Sequence, residues 1–430
     1  MTPPLAPALF VAAALWAAAP AFPQTGAAPV NGFPATSAAA PPLVLQRAPP
    51  DDRPLDEWLA LRGREVALGA RGRQVVAPDM ILVAPVVGRY AEALVYDDVG
   101  ADPRPDAADP LAPLRGFVPA DALETVVAAA ATRQVVMVNE AHPVPQHRAF
   151  TLQLLARLRA LGFTWFAAET LFEEDTALQR RGYPVAGTGA YTSEPVYGDL
   201  VRTALRLGFH VVAYDSPPGI DLDPRERLQA ANLAERILKA DPHARIVVHA
   251  GYGHIAKWVR PGSIIPMAIR FRELTGIDPY TVDQAHMTER SRPEVEEPLY
   301  RAVTRHEALT RPTVFVNEAG HPWSSNPAMY DAVVFSPRSE YQQGRPTWLR
   351  MGGLRQPHPL SPDVCAGARA CLVRARYAAE SADAVPVDQV LVVAGAPVPA
   401  LVLPPGRFQV TVEGPNRSTL RAFTLEQPHG

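Results

Sequence analysis

The sequence predicts an α/β fold, with a largely parallel sheet, flanking helices and a small C-terminal antiparallel β appendage. Apolar strands alternate with amphipathic helices from residue 120 onward, at a spacing typical of right-handed βαβ crossovers. After about residue 361 the pattern changes to short alternating strands separated by turn residues, as in QVLVVAG, PALVLP and GRFQVTVEG within 389–414. We therefore expect a core domain over 120–345 and the appendage over 361–430.

The core elements follow from the hydrophobic periodicity. Helices are predicted at 120–131, 147–162, 194–208, 223–240 and 264–276, and strands at 133–139, 164–169, 210–215, 244–250, 281–283, 312–317 and 331–336. The strand interiors are continuously apolar, as expected for strands buried on both faces. Asp223 as N-cap and Pro224 in the first turn favour the start of a helix. Gly162 and Gly208 favour the end of a helix.

The N-terminal part predicts export. An apolar run over 8–19 is followed by Ala19-Pro20-Ala21, which fits a signal peptide at 1–21, and no later segment reaches 18 apolar residues. We therefore expect a periplasmic or extracellular protein without a transmembrane segment in the mature chain. The alternative is a disordered Ala/Pro tail, because no Lys or Arg precedes the run.

Two further segments precede the core. Residues 22–54 form a Pro/Ala-rich linker, and 55–119 form an N-terminal extension to which we assign no chemistry. Within this extension, VVAPDMILVAPVV (75–87) predicts short strands interrupted by Pro78 and Pro85.

Composition narrows the class of protein. The 430 residues are 47% hydrophobic and carry a net charge of −3, so nothing indicates nucleic acid or an anionic membrane as partner. The two cysteines, Cys365 and Cys371, predict a small-loop disulfide in an oxidising compartment, with two free thiols as the alternative.

Titratable residues follow the predicted strands, at the edge where open α/β sheets bind ligands. They are Glu140 and His142 after the first core strand, Glu169 and Asp215 at the ends of the next two, and His249 and His254 at the fourth. Carboxylates and imidazoles at one edge are the groups that metal ligation or acid–base chemistry requires.

Each of these residues also has a structural alternative. Glu140 could cap the following helix, Glu169 could form an ion pair with Arg148, and Asp215 could start a turn. The histidines could be buried and hydrogen-bonded, and this alternative is strongest for His249. Gly251 and Gly253, before His254, favour a tight turn with close backbone approach to a ligand.

Four segments carry a resemblance to a known superfamily: VVMVNEAHPVPQHRAFTLQLL, FAAETLFEED, VVAYD and VVHAGYGH. Over about residues 130–290 the chain resembles the ChaN-like, erythromycin-esterase-like and TIKI/TraB superfamily, and its first motif is nearest the ChaN-like branch. The motif positions are Glu140, His142, Glu169 and His254, with Arg148 in support. Asn139 stands where the superfamily has Gly, and Asn tolerates a tight backbone turn better than most residues.

The resemblance implies either a hydrolase or, as in the ChaN-like branch, a haem-binding protein. Two carboxylates at the rim are not needed to bind haem, so with the predicted signal peptide we expect an exported hydrolase acting on an ester or amide of a small molecule or peptide. Its catalytic residues are then the four motif residues, which could also hold a divalent metal, and Asp215, His249 and Tyr252 support them. We expect the loss of the Glu140 charge to leave folding nearly intact. Two alternatives remain: a haem- or ligand-binding periplasmic protein with Tyr252 or His254 as axial ligand, and a non-catalytic envelope protein.

Overall fold

The described part of the chain begins with three helices, and the second of them lies where the sequence predicted short strands. In the computed structural model, which describes residues 52–217 and 219–428, these helices are α1 (Pro54–Leu68), α2 (Gly72–Val86) and α3 (Tyr90–Asp97). The strand prediction for 75–87 is wrong because Val76, Met80 and Val83 form a buried helical stripe that outweighs the two prolines. The predicted signal peptide and residues 22–51 of the linker lie outside the described residues.

The core alternates strands and helices as predicted. Its elements are β1 (Val118–Asp121), α4 (Ala122–Ala130), β2 (Val135–Glu140), α5 (Gln146–Ala160), β3 (Trp165–Ala168), α6 (Leu178–Arg181), α7 (Pro195–Arg206), β4 (His210–Ala213), α8 (Leu222–Leu233), β5 (Ile246–Gly251), α9 (Met267–Thr275), β6 (Tyr280–Asp283), α10 (Pro298–His306), β7 (Thr313–Val316) and β8 (Ala332–Val333). One detail differs, because Asp221 rather than Asp223 precedes the first turn of α8.

The central sheet has six parallel strands in the order β4-β3-β5-β2-β6-β8, which confirms the predicted fold class. Strand β7 is outside this sheet and pairs antiparallel with β1. In the register of the central strands, Glu140 lies beside Gly251 and Ala168 lies beside His249. The carboxyl ends of β3, β5, β2 and β6 therefore share one edge, which we call the rim.

Helices cover both faces of this sheet. Val136 and Val138 of β2 belong to a buried cluster with residues of α4, α5 and α7, whereas Val135 and Met137 belong to a second cluster with α8 and α9. This division follows from the alternation of side chains along a strand. Burial on both faces explains why the strand sequences are apolar throughout.

The C-terminal part is antiparallel, as predicted. Its strands are β9 (Tyr341–Gln342), β10 (Arg345–Pro346), β11 (Gln356–His358), β12 (Ala370–Tyr377), β13 (Asp388–Val393), β14 (Leu401–Leu403), β15 (Gly406–Glu413) and β16 (Thr419–Gln427). Four of them form a sheet in the order β13-β12-β15-β16, which packs on α2 through Leu372 and Leu391. The predicted Cys365–Cys371 disulfide is present, with the two Cα atoms 5.5 Å apart. Within the described residues no helix is long and apolar enough to cross a membrane.

Candidate functional site

The rim brings the predicted residues together in two linked groups of charged side chains. One group is built on Glu140 and the other on Glu169, and Gly251 lies between them. Five of the predicted residues are buried here: Glu140, His142, Glu169, His249 and His254. His142 is the most exposed of them, with 8% of its surface exposed against 5% or less for the other four.

Glu140 ends β2 and is held by Arg148 of α5 through two parallel hydrogen bonds. Arg148 Nε donates to Glu140 Oε2 at 2.7 Å, and Arg148 Nη2 donates to Glu140 Oε1 at 2.7 Å. Arg148 Nη1 also donates to Glu194 Oε2 at 3.0 Å, at the start of α7. The predicted alternatives that Glu140 caps α5 and that Arg148 pairs with Glu169 are therefore wrong.

Two histidines share the Glu140 carboxylate with Arg148. His142 Nδ1 lies 3.0 Å from Oε1, and His249 Nε2 lies 2.8 Å from Oε2. Burial alone raises the pKa of Glu140, but the charge and hydrogen bonds of Arg148, together with the two histidines, hold that pKa well below its ordinary value. Glu140 is therefore an ionised group that orients His142, and His249 belongs to the same network.

Glu169, directly after β3, is the centre of the second group. Arg225 Nη2 of α8 donates to its Oε1 at 2.6 Å, and the Gly251 backbone N–H donates to its Oε2. Although burial raises the pKa of Glu169, the charges of His254 and Arg225 hold it well below the ordinary value. Glu169 is thus also a permanent anion near neutral pH.

His254 lies between two carboxylates. Its Nδ1 is 2.8 Å from Glu226 Oε1, and its Nε2 is 3.5 Å from Glu169 Oε1. Burial lowers the pKa of His254, but the charges of Glu226 and Glu169 outweigh it and raise that pKa to about 10. His254 therefore carries a positive charge at neutral pH.

Asp215 belongs to the Arg225 part of the network and does not contact Glu140. Arg225 Nε and Nη2 donate to its two oxygens at 2.8 and 2.6 Å, and Gln229 donates to Oδ1 at 2.8 Å. The Ser216 backbone N–H also donates to Oδ1 at 2.8 Å, so Asp215 holds the bend of the chain after β4 and also fixes Arg225.

The absence of a side chain at Gly251 lets the two groups approach each other. A Cβ built at this position would lie 2.7 Å from His142 Nε2 and 3.0 Å from Glu169 Oε2. The His142 ring is also packed between Tyr191 and Tyr252, with ring centroids 4.7 and 4.9 Å away. His142 Nε2 and the Glu169 carboxylate therefore face one point of the rim.

Two strained backbone positions adjoin this point. Thr170, immediately after Glu169, has φ of 66°, and Tyr252, immediately after Gly251, has φ of 43°. Left-handed backbone is costly for residues with bulky side chains and concentrates at functional sites.

Asn139 has a different role from the one expected. It lies in the extended backbone of β2, so the prediction of a tight turn there is wrong. Its Nδ2 donates to Tyr252 O at 2.9 Å and to Asp283 Oδ1 at 2.7 Å, and its Oδ1 accepts from Gln284 N at 2.7 Å. The Asn139 side chain therefore ties the ends of β2, β5 and β6 together.

Three of the four predicted metal ligands, Glu140, Glu169 and His254, are engaged by other charged groups, and His254 was also a predicted haem ligand. Among residues 52–217 and 219–428, no group of three or more His, Cys, Asp or Glu side chains is placed to hold a metal ion. Glu140 and Glu169 accept from buried arginines, and a charged His254 has no lone pair to offer a metal or haem iron. The donor set does not fit these groups, and we derive no step through them.

Sequence reasoning missed several residues of the network: Arg225, Glu226, Glu194 and Tyr191. A signal for the first two is that they are charged residues on the side of α8 that faces the core. The N-terminal extension, to which the sequence assigned no chemistry, also reaches the rim. Its Asp97 pairs with Arg290 at 2.9 Å, and the charge of Asp97 adds to burial in raising the pKa of Tyr252.

Comparison with known proteins adds only faint likenesses. No family model matches the chain, and no curated protein matches it. The structure of the type III effector HopBA1 aligns at 16% identity and a TM-score of 0.32, covering 55% of this chain and 98% of that one. A structure of bacterial protein toxins aligns at 11% identity and a TM-score of 0.29, covering 45% of this chain and 44% of that one. At these TM-scores neither likeness supports an argument about function.

Proposed function

We propose that the protein is an exported hydrolase of an ester or amide, with His142 as general base and Glu140 as the residue that orients it. The observation that carries the proposal is the Glu140–His142 pair. Arg148 fixes and ionises Glu140, Glu140 holds His142 Nδ1, and His142 Nε2 points to the rim beside Glu169. A carboxylate that binds one imidazole nitrogen leaves the other to accept a proton.

In the proposed reaction, His142 Nε2 accepts a proton from a water molecule whose oxygen attacks the substrate carbonyl carbon. Glu140 then stabilises the imidazolium, because its negative charge lies against the Nδ1–H. Base catalysis by a positioned group contributes on the order of 10²–10⁴-fold to the rate.

The Glu169 carboxylate also lies beside the Gly251 position and is assigned to hold this water. His254 and Arg225 keep Glu169 ionised and in place, so they are positioning residues. The strain at Thr170 and Tyr252 supports a functional site, since strain of this kind persists where the surrounding structure imposes it.

One feature outside the rim supports the export part of the proposal. The Cys365–Cys371 disulfide supports an oxidising compartment. The substrate is a small molecule or peptide with an ester or amide bond, since the base, the water and the rim position fit acyl transfer to water.

The test uses the full chain produced in an oxidising compartment and assayed with p-nitrophenyl butyrate and with a peptide amide. We expect the wild type to hydrolyse one of them above the buffer rate and His142→Asn to lose that activity about 100-fold. His306→Asn, at an exposed position at the end of α10, is the matched control. Absence of hydrolysis by the wild type, or full activity in His142→Asn, would contradict the proposal.

A further inference from the structure

A second carboxylate–imidazole pair lies on the same rim, one strand away from the first. Asp283 ends β6, which is the direct neighbour of β2, and its side chain is fully buried. His286 follows in the next loop, and its Nδ1 lies 2.8 Å from Asp283 Oδ2. The His286 side chain is 43% exposed, whereas His142 is 8% exposed, so this imidazole is open to a substrate at the rim.

Asn139 fixes the second pair relative to the first. Its Nδ2 donates both to Asp283 Oδ1 and to the Tyr252 carbonyl. The Tyr252 ring stands edge-on against His142, with 4.9 Å between the ring centroids. The Asn139 amide therefore links the two pairs, directly to Asp283 and through Tyr252 to the His142 ring.

The groups around His286 favour its protonated form. Asp283 faces it from β6 and Glu297 from the start of α10, and their charges raise its pKa. The charge of Arg104, in the segment before β1, opposes them, and the Tyr330 ring lies 6.0 Å away. The charge of Asp283 outweighs burial and raises the pKa of His286 to about 9. At neutral pH, His286 therefore carries a proton on the exposed Nε2, unlike a base that must be neutral to act.

We propose that His286, positioned by Asp283, is the general acid that protonates the leaving group of the substrate. This inference rests on the proposed hydrolase function. The water oxygen forms a bond to the carbonyl carbon, the carbonyl π electron pair moves onto the carbonyl oxygen, and a water proton passes to His142 Nε2. The π bond then re-forms as the bond between that carbon and the leaving oxygen or nitrogen breaks; the electron pair of the broken bond stays on the leaving atom, which takes the proton from His286 Nε2. Exchange with solvent returns a proton to His286 and removes one from His142, so one water is consumed per bond cleaved.

A purely structural Asp283–His286 ion pair makes a different prediction. Such a pair would affect esters of all leaving groups equally, because it would act only on the stability of the loop. A general acid acts most on a basic leaving group, since a strongly basic alkoxide cannot depart without a proton, whereas p-nitrophenolate departs more easily.

The experiment compares methyl butyrate with p-nitrophenyl butyrate, which share an acyl group and differ in the basicity of the leaving group. We expect His286→Gln to lower kcat/KM for methyl butyrate about 100-fold and for p-nitrophenyl butyrate distinctly less. The wild-type rate on methyl butyrate should fall as pH rises through about 9, and His286→Gln should lack this fall. The matched control is His243→Gln. His243 is exposed and precedes the first residue of β5, at the end of the strand that lies away from the rim.

An equal loss on both esters, or no loss on either, would overturn the assignment of His286 and leave the proposed function standing. If the wild type hydrolyses only the peptide amide, whose leaving amine is strongly basic, His286→Gln should lose that activity about 100-fold, and an undiminished rate would overturn the assignment. Failure of the wild type to hydrolyse the two esters and the peptide amide would instead contradict the proposed function and this inference with it. Asp283→Asn provides a second readout, since removal of the charge should move the fall in rate to lower pH. An unchanged pH profile in that variant would also overturn the assignment.

Discussion

The His142 ring lies over Gly251 so closely that no side chain fits between them. A Cβ at residue 251 would be 2.3 Å from His142 Cε1 and 2.7 Å from its Nε2. Contacts this short force a displacement, and Tyr191 and Tyr252 hold the other sides of the ring. The position of the proposed base therefore depends on Gly251. The nearby Gly253 differs, because a Cβ there would have no atom within 4 Å.

Gly251→Ala should consequently displace His142 and lower hydrolysis of p-nitrophenyl butyrate by 10-fold or more, because a misplacement of about 1 Å is costly to catalysis. The matched control is Gly253→Ala, since nothing lies within 4 Å of a Cβ at that position. Steady-state kinetics of the two variants give the comparison. Equal activities would show that the placement of the ring over Gly251 does not matter.

Glu140→Gln tests the energetics of the buried network. The variant removes the carboxylate that accepts two parallel hydrogen bonds from Arg148. Loss of one member of a buried ion pair lowers the free energy of unfolding by about 3–5 kcal/mol. We therefore expect a marked fall in the free energy of unfolding, measured by urea denaturation, where the sequence alone predicted almost none. Glu124→Gln, at an exposed ion pair on α4, should change it little. Similar stabilities of both variants would argue that Arg148 is satisfied by Glu194 alone.

The pKa of His254 predicts how stability depends on pH. The folded-state value of about 10 lies above the ordinary 6.5, so the stabilisation is complete below pH 6.5 and is lost as pH rises through 10. The free energy of unfolding should therefore decline between pH 7 and pH 10, and this decline should be weaker in His254→Gln. Urea denaturation across this range measures the effect, and parallel curves for the two proteins would contradict it.

The disulfide should contribute modestly to stability. Cys365 and Cys371 are six positions apart, and closure of so short a loop contributes about 2–3 kcal/mol in the chain-entropy account. The double change to serine should lower the free energy of unfolding by that amount and leave hydrolysis intact, because the bond lies in the C-terminal part. A thiol titration of the unreduced, unfolded wild type that finds two thiols would rule the bond out.

The sequence predicted the parallel sheet and its rim because strands buried on both faces are visible as apolar runs and because polar residues follow each run. It could not predict α2, since Pro78 and Pro85 have local preferences that only the packing of Met80 and its neighbours against the C-terminal sheet overrides. The sequence alone also could not predict which charged residues pair with each other. Arg225 reaches Glu169 across 56 positions of sequence, and only the tertiary structure decides that Arg148 binds Glu140 instead.

The central claim is that Glu140 and His142 act as one catalytic unit, and a double-mutant cycle tests it most directly. The turnover of p-nitrophenyl butyrate is measured for the wild type, Glu140→Gln, His142→Asn and the double variant, at a temperature at which all four are folded. Residues that act as a unit have non-additive effects, so each single change and the double change should all cost about 100-fold. A double variant about 10⁴-fold slower than the wild type, the product of two independent losses, or single variants with full activity, would contradict the account.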